Sequence, residues 1–307
     1  MIKQDHFFKL SILLVTYNHE KYISKALDSL FHQVLEGPIE LVVADDASTD
    51  NTIALIKAYE GKDPRFHFKY LPNASNLGIT KNYQRGFAAC SGEYVAVLEG
   101  DDYWIKPDKL KKQCDFLDLN WACNLCFVNY FIYKEDIASF ELRVKDTSGT
   151  TYISARALIE DNIIGNFSTC MYRREALLRL PEELFELCSY DWITNICIAE
   201  TSIIGFLKEP MSVYRLHNSG AWSQKQAAEK TKALIKLIPA YNQLTQMRFD
   251  QEFNLLKRRL AQSLVISESF LKHFNKMPKG VVQTIKSLVP LRLKILVSKA
   301  LAKSIAE

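Results

Sequence analysis

Three carboxylates fall within four positions at Glu99-Gly100-Asp101-Asp102, immediately after the apolar run Val95-Ala96-Val97-Leu98. The run reads as a short buried strand, which puts the acidic groups at its carboxyl end. Like charges buried together cost on the order of several kcal/mol, or force protonation, unless a cation offsets them. Hard divalent ions take oxygen ligands, usually one or two carboxylates together with substrate phosphates. The cluster is a candidate seat for a metal–phosphate complex; a solvated acidic turn is the plainer use of an Asp-Asp pair. Two more polar clusters share this setting. Tyr17-Asn18 follows the apolar run from Leu10 to Thr16, and Asp45-Asp46 follows the run from Ile39 to Ala44.

The elements that must position these groups are legible from periodicity. Residues 10–16 and 39–44 are strands covered on both faces. Ile23, Ala26, Leu27, Leu30 and Phe31 mark a helix over 20–33. Ser48 or Thr49 is an expected N-cap for a helix through Tyr59. A weaker strand spans 66–71, a turn-rich loop runs from Pro72 to Gly78, a helix covers 79–90, and a strand covers 94–98. Alternating strands and helices predict an α/β domain with a mostly parallel central sheet flanked by helices. Ligands of such sheets bind beyond the strands' carboxyl ends, where all three polar clusters fall. Pro107 opens a helix to about Asn120. Residues 121–133 read as a strand, and 134–152 as a polar stretch with a hairpin. Short helices follow over 154–200 with a strand near 166–172, then closing strands at 202–207 and 210–216. The rest reads as helices 226–247, 249–274 and 281–304, with breaks near Pro239, residues 275–278 and Pro290. The expected division is a catalytic domain over 1–222 and a basic helical extension over 223–307.

A chain of 307 residues, 48% hydrophobic and 24% charged, can bury a large core. The net charge of +4 hides an asymmetry: residues 225–307 carry +11, and residues 1–224 carry −7. A basic segment of this kind predicts an anionic partner. The polar start predicts no secretory signal, and no apolar run approaches the ~20 residues of a membrane helix. Seven cysteines without a framework fit a reducing cytoplasm. The lone pair Cys123 and Cys126 reads as buried side chains rather than zinc or redox chemistry. No recognised nucleic-acid motif is present, so nucleic acid is not an expected partner.

Several motifs in order resemble the family 2 glycosyltransferases over roughly residues 9–220. They are Ser11 to Asn18, Val43 to Thr52, Asn76-Leu77-Gly78 with Asn82, and Gly92 to Trp104 continued by Pro107, Lys109-Leu110 and Gln113. Tyr190-Asp191-Trp192 and Tyr214-Arg215-Leu216-His217 complete the set. The resemblance implies a GT-A fold and an inverting enzyme using a nucleotide-diphosphate sugar, most simply UDP-linked. It implies a nucleotide-sugar site of Thr16, Tyr17, Asn18, Asp45, Asp46, Asn76, Lys81, Glu99 and Asp101. Within it Tyr17 lies against the base and Asp46 bonds the base or ribose. Mn2+ or Mg2+ is implied at Asp101, Asp102 and His217, and a catalytic base at Asp191. Glu99 replaces the usual Asp of the metal-binding motif, and Lys81 stands where many members carry Arg.

The implied chemistry is physically coherent. A cation on Asp101 and Asp102 offsets charge developing on a departing diphosphate. Asp191 takes the proton of an acceptor hydroxyl, and direct displacement inverts the anomeric centre. Trp192, if packed on Asp191, raises its pKa. Plainer uses stay open. Asp191 can be a first-turn helix acid, His217 an ordinary hydrogen-bonded histidine, and Tyr17 a strand-end packing group. Asp45 and Asp46 can divide between capping and ligand contact in either order. Trp104 reads as a wall or core residue. The acceptor implied is a growing glycan or lipid-linked saccharide of the cell surface. The alternatives are a catalytically silent sugar-nucleotide or glycan-binding module and a sugar nucleotidyltransferase; the latter lacks a Gly-rich nucleotide loop here. In residues 291–304, Arg292, Lys299 and Lys303 oppose Leu293, Val297, Ala300 and Leu301, with Lys294 interrupting the apolar face. That pattern suits peripheral contact with the inner face of a membrane, or packing on the body or in a homodimer.

Overall fold

The structure, a computed structural model, describes residues 7–148, 151–187, 191–218 and 226–274. Strand β1 (Leu10–Thr16) and strand β2 (Ile39–Asp45) are buried at every position, as continuous apolar runs require. Between them lies α1 (Ile23–Phe31), whose Ile23, Ala26, Leu27 and Leu30 face the core. Helix α2 (Thr52–Lys57), β3 (Phe66–Tyr70), α3 (Ile79–Ala89) and β4 (Tyr94–Glu99) complete the first half. The order β3-β2-β1-β4 is parallel throughout. Thr16 lies opposite Asp45, and Val15 opposite Glu99. This register levels the three polar clusters along one edge of the sheet.

Beyond β4 the sheet becomes mixed. The chain continues through β5 (Tyr103–Trp104), α4 (Lys109–Leu119), β6 (Cys123–Lys134), β7 (Ser139–Leu142), β8 (Tyr152–Ile153) and α5 (Ala155–Glu160). It then forms β9 (Cys170–Arg173), α6 (Arg174–Leu178), α7 (Asp191–Ala199) and β10 (Ile203–Leu216). Strand β9 sits between β4 and β6, antiparallel to both, while β6 and β10 run parallel. The hairpin expected in 134–152 is β6–β7, and its turn falls at the start of that stretch.

Three local expectations are corrected. Residues 166–169 form a polar approach and a single helical turn (Phe167–Thr169), so the strand starts only at Cys170. The two closing strands are one, β10, with register shifts between Leu207 and Ser212. Pro210, lacking an N–H, interrupts the ladder there without ending it. Neither Ser48 nor Thr49 caps α2. Asn51 precedes the helix, and the Asp50 carboxylate accepts from the Thr52 N–H and hydroxyl instead.

The chain forms two compact units, Met1–Gln224 with Pro239–Phe253, and Lys225–Ile238 with Asn254–Glu307. The first therefore extends past the expected boundary at 222 and takes in residues 239–253. Within it Tyr241 is fully buried, its ring 6.5 Å from those of both Trp192 and Phe253. Helix α8 (Ala227–Leu244) contains Pro239 without breaking, and α9 covers Asp250–Phe274. The expected helix over 281–304 lies outside the described residues. Among those residues six cysteines are free and buried, Cys123 and Cys126 among them. No helix among them is long and apolar enough to cross a membrane.

Gly205 on β10 lies directly against Phe116 of α4. A Cβ there would stand 2.1 Å from Cε1 of Phe116. Gly205→Ala is expected to cost about 1–3 kcal/mol by overpacking, read as a lower urea midpoint at constant m-value.

Candidate active site

The loops after β1 and β2 are laced together. Asn18 takes a left-handed backbone, φ 55°, which Asn tolerates better than most residues. Its N–H donates to Ser48 Oγ at 2.8 Å, and its Oδ1 accepts from the Thr49 N–H at 2.8 Å. Asp45 accepts from Thr16 Oγ1 at 2.8 Å, and from the Ser48 N–H and hydroxyl at 2.8 and 2.5 Å. Asp46 accepts the Leu77 N–H at 2.8 Å and the Gly78 N–H at 3.0 Å, while Asn76 Nδ2 donates to the Asp46 carbonyl at 3.2 Å. The structure thus gives both carboxylates loop-holding bonds, Asp45 toward residue 48 and Asp46 toward 76–78. Tyr17 stands at the rim, 45% exposed. Lys81 is ion-paired with Glu186, ahead of α7.

Each carboxylate of the acidic cluster has a different environment. Glu99, at the end of β4, accepts from the Tyr83 hydroxyl at 2.7 Å. Burial, then the charge of Asp101, pushes it up to about 8. Asp101 Oδ2 lies 3.0 Å from His217 Nε2 and 3.8 Å from His19 Nε2. Burial pushes Asp101 up, but His19 and His217, with a backbone hydrogen bond, hold the carboxyl below its ordinary range. Asp102 faces inward, 1% exposed. Its Oδ2 accepts from Ser168 Oγ at 2.6 Å and its Oδ1 from the Arg215 N–H at 2.9 Å. Burial and then its acidic neighbours raise it well above the usual carboxylate range. The expected Asp101–Asp102 pair is therefore divided: Asp101 meets the histidines, and Asp102 anchors the frame.

Asp191 opens α7. Its Oδ2 accepts from Asn162 Nδ2 at 3.4 Å, and burial raises its pKa. Trp192 is buried beside it in sequence, but its indole is fixed on the Leu158 carbonyl at 2.6 Å. The charge of Asp191 is felt at Glu99, so residues 92 positions apart share one electrostatic site. Sequence reasoning missed His19, Tyr83, Asn162 and Ser168. Only His19 carried a signal, its place directly after Tyr17-Asn18.

Asp101 and His217 suit a divalent cation that draws its other ligands from phosphates and water. His19 adds a buried Nδ1 with no hydrogen-bond partner among the described residues. Among those residues no three His, Cys, Asp or Glu are grouped to enclose a metal by themselves.

The arrangement is thus one of acidic strand ends on a mixed sheet with a carboxylate opening a later helix. The chain belongs to glycosyl transferase family 2, whose profile matches residues 11–180. It is 35% identical over 213 residues to the uncharacterized protein Rv1520 of Mycobacterium tuberculosis, covering 69% of this chain and 60% of that protein. The chain thus spans about 60% of the length of that curated relative. The putative teichuronic acid biosynthesis glycosyltransferase TuaG of Bacillus subtilis is 28% identical over 224 residues, covering 72% of this chain and 85% of that one. In fold, the chain resembles Staphylococcus aureus TarS residues 1–349 crystallised with UDP-GlcNAc, with a TM-score of 0.59 and 21% identity. That likeness covers 96% of this chain and 80% of TarS 1–349.

The divided roles of the Asp pair have a measurable consequence. Asp102→Ala leaves the Ser168 hydroxyl and Arg215 N–H buried without acceptors, at about 1–3 kcal/mol each, so its melting temperature falls. Asp101→Ala is expected to melt near wild type yet lose metal-dependent nucleotide binding in calorimetric titration. The reverse pattern would exchange the two roles.

Proposed function

We propose that the protein is an inverting, metal-dependent glycosyltransferase. It moves one sugar from a UDP-linked donor to a saccharide or lipid-linked saccharide in cell-surface polysaccharide synthesis. The observation that carries this reading is the convergence of Asp101 with His217, Glu99 and Asp191 on one site. The UDP donor is supported by the fold likeness to TarS with UDP-GlcNAc, and the polysaccharide role by the relation to TuaG.

Asp101 and His217 would hold Mn2+ or Mg2+, which when bound offsets charge on the departing diphosphate. Glu99, Tyr17 and the loops held by Asp45 and Asp46 face the nucleotide. Asp191 accepts the acceptor hydroxyl's proton as that oxygen attacks the anomeric carbon, while the nucleotide diphosphate departs from the opposite face. A single base acting in one displacement inverts the centre. Burial makes Asp191 a stronger base than an exposed carboxylate.

The first test is a thermal-shift series of nucleoside diphosphates with and without Mn2+. A ligand at 100 times its Kd adds about 2.7 kcal/mol of stability. Metal-dependent stabilisation by UDP is expected; none from any nucleotide would sink the donor site. Asp191→Asn is expected to lower transfer by about 10²–10⁴-fold while leaving UDP binding intact. A binding module would show the binding but no transfer in wild type. Because the base works ionised and its pKa is raised, wild-type kcat is expected to fall with decreasing pH at a higher pH than an ordinary Asp would give.

For the basic extension we propose contact with an anionic membrane surface, against packing on the body or in a homodimer. Lys257, Arg258 and Arg259 are exposed in succession on α9, beside exposed Leu255. Co-sedimentation with phosphatidylglycerol vesicles that weakens with salt is expected, at about 1 kcal/mol per basic residue near the surface. Equal pelleting with neutral phosphatidylcholine would remove the electrostatic basis.

A further inference from the structure

Tyr214 stands on β10 directly before Arg215, and its register brings it to the acidic cluster. Ser212 and Val213 lie opposite Trp104 and Tyr103 on antiparallel β5, so the next residue of β10 continues toward Asp102. The Arg215 N–H, on the peptide that Tyr214 begins, donates to Asp102 at 2.9 Å. The ring is half-buried. Nearby, the Tyr83 hydroxyl donates to Glu99 at 2.7 Å and the Tyr172 hydroxyl to Asn195 at 2.8 Å. The Tyr214 hydroxyl makes no hydrogen bond among the described residues.

Its surroundings define what it can serve. Burial, and then the neighbouring acidic groups of Asp102, Glu99, Asp101 and Asp191, raise its phenol well above the ordinary range and keep the proton on oxygen. Tyr214 is thus a neutral donor beside the acidic cluster. A sugar hydroxyl has one proton to give and two lone pairs to fill. Carboxylates can take the proton, but only a donor can fill a lone pair. The group that would lie between a diphosphate at Asp101 and a base at Asp191 is the transferred sugar.

We propose that Tyr214 is a binding residue for the transferred sugar, its phenolic O–H donating to a sugar hydroxyl oxygen of the bound donor. The inference rests on the glycosyltransferase reading and adds a contact that discriminates the sugar from the nucleotide.

Tyr214→Phe removes that hydroxyl and keeps the ring. Calorimetric titration with UDP, UDP-glucose and UDP-N-acetylglucosamine in Mn2+ tests it against wild type. UDP affinity is expected to stay within about twofold, while the UDP-sugar that wild type binds best loses about tenfold. The ligand-free melting temperature should not move, because no bond within the described chain is lost. Equal losses for UDP and UDP-sugar would make Tyr214 a diphosphate contact and overturn the proposal. Unchanged UDP-sugar affinity, with or without a lower melting temperature, would overturn it too, while wild-type binding left the transferase reading standing. Wild type that binds neither UDP nor a UDP-sugar would overturn that reading and this inference with it.

Discussion

The buried carboxylate of Asp102 is the interaction on which the site depends. It joins three segments distant in sequence: the link after β4, the turn before β9 and the end of β10. Ser168 and the Arg215 N–H give it two hydrogen bonds. Such bonds contribute about 0.5–1.5 kcal/mol each, and a buried partner left without its acceptor costs about 1–3 kcal/mol. The Ser168 hydroxyl also accepts the Glu99 N–H at 3.0 Å. Behind it, Trp104 Nε1 donates to the Ser168 carbonyl at 2.8 Å, and Gln113 Nε2 to that of Thr169 at 3.0 Å. Lys109 completes this chain of contacts, fully buried over the Trp104 ring and bonded to Gln113. Burial pushes its pKa down to about 7, so its packing with Trp104 and its bond to Gln113 carry its structural role.

Closely spaced carboxylates cannot all ionise freely, and their surroundings separate them. Asp101 has two imidazoles and stays acidic; Glu99 and Asp102 are raised. Arg215 supplies a fixed positive charge beneath them. Its Nε donates to the Asp101 carbonyl at 2.9 Å, and its guanidinium lies among Tyr22, Tyr103 and Tyr133 at 4.8 to 5.6 Å. The negative charge that a cation would meet is thus concentrated on one carboxylate.

How far this architecture was legible depended on how local each cause was. The runs at residues 10–16, 39–44 and 94–98 are apolar on both faces, and such a pattern permits little except a covered parallel strand. The polar residues just beyond them had to lie at strand ends. Ser48 illustrates the opposite case. Its type suits a helix cap, but the nearby Asp45 carboxylate competes for its hydroxyl and wins. Strand β9 was blurred because its polar approach, Asn166 to Thr169, is buried by contacts with β4 and α4 rather than by its own pattern.

Sequence by itself determined the alternating strands and helices, the carboxyl-end location of the three clusters and the motif order that marks family 2. Each follows from local periodicity and residue chemistry. Tertiary structure alone decided which member of Asp101-Asp102 faces the histidines, how Asp45 and Asp46 divide between two loops, and that Asp191 acts on Glu99 across the fold. It also made residues 239–253 part of the body. These outcomes depend on strand register and on competition between distant donors for the same acceptor. Neither leaves a trace in residue spacing, because the partners meet only when the sheet closes.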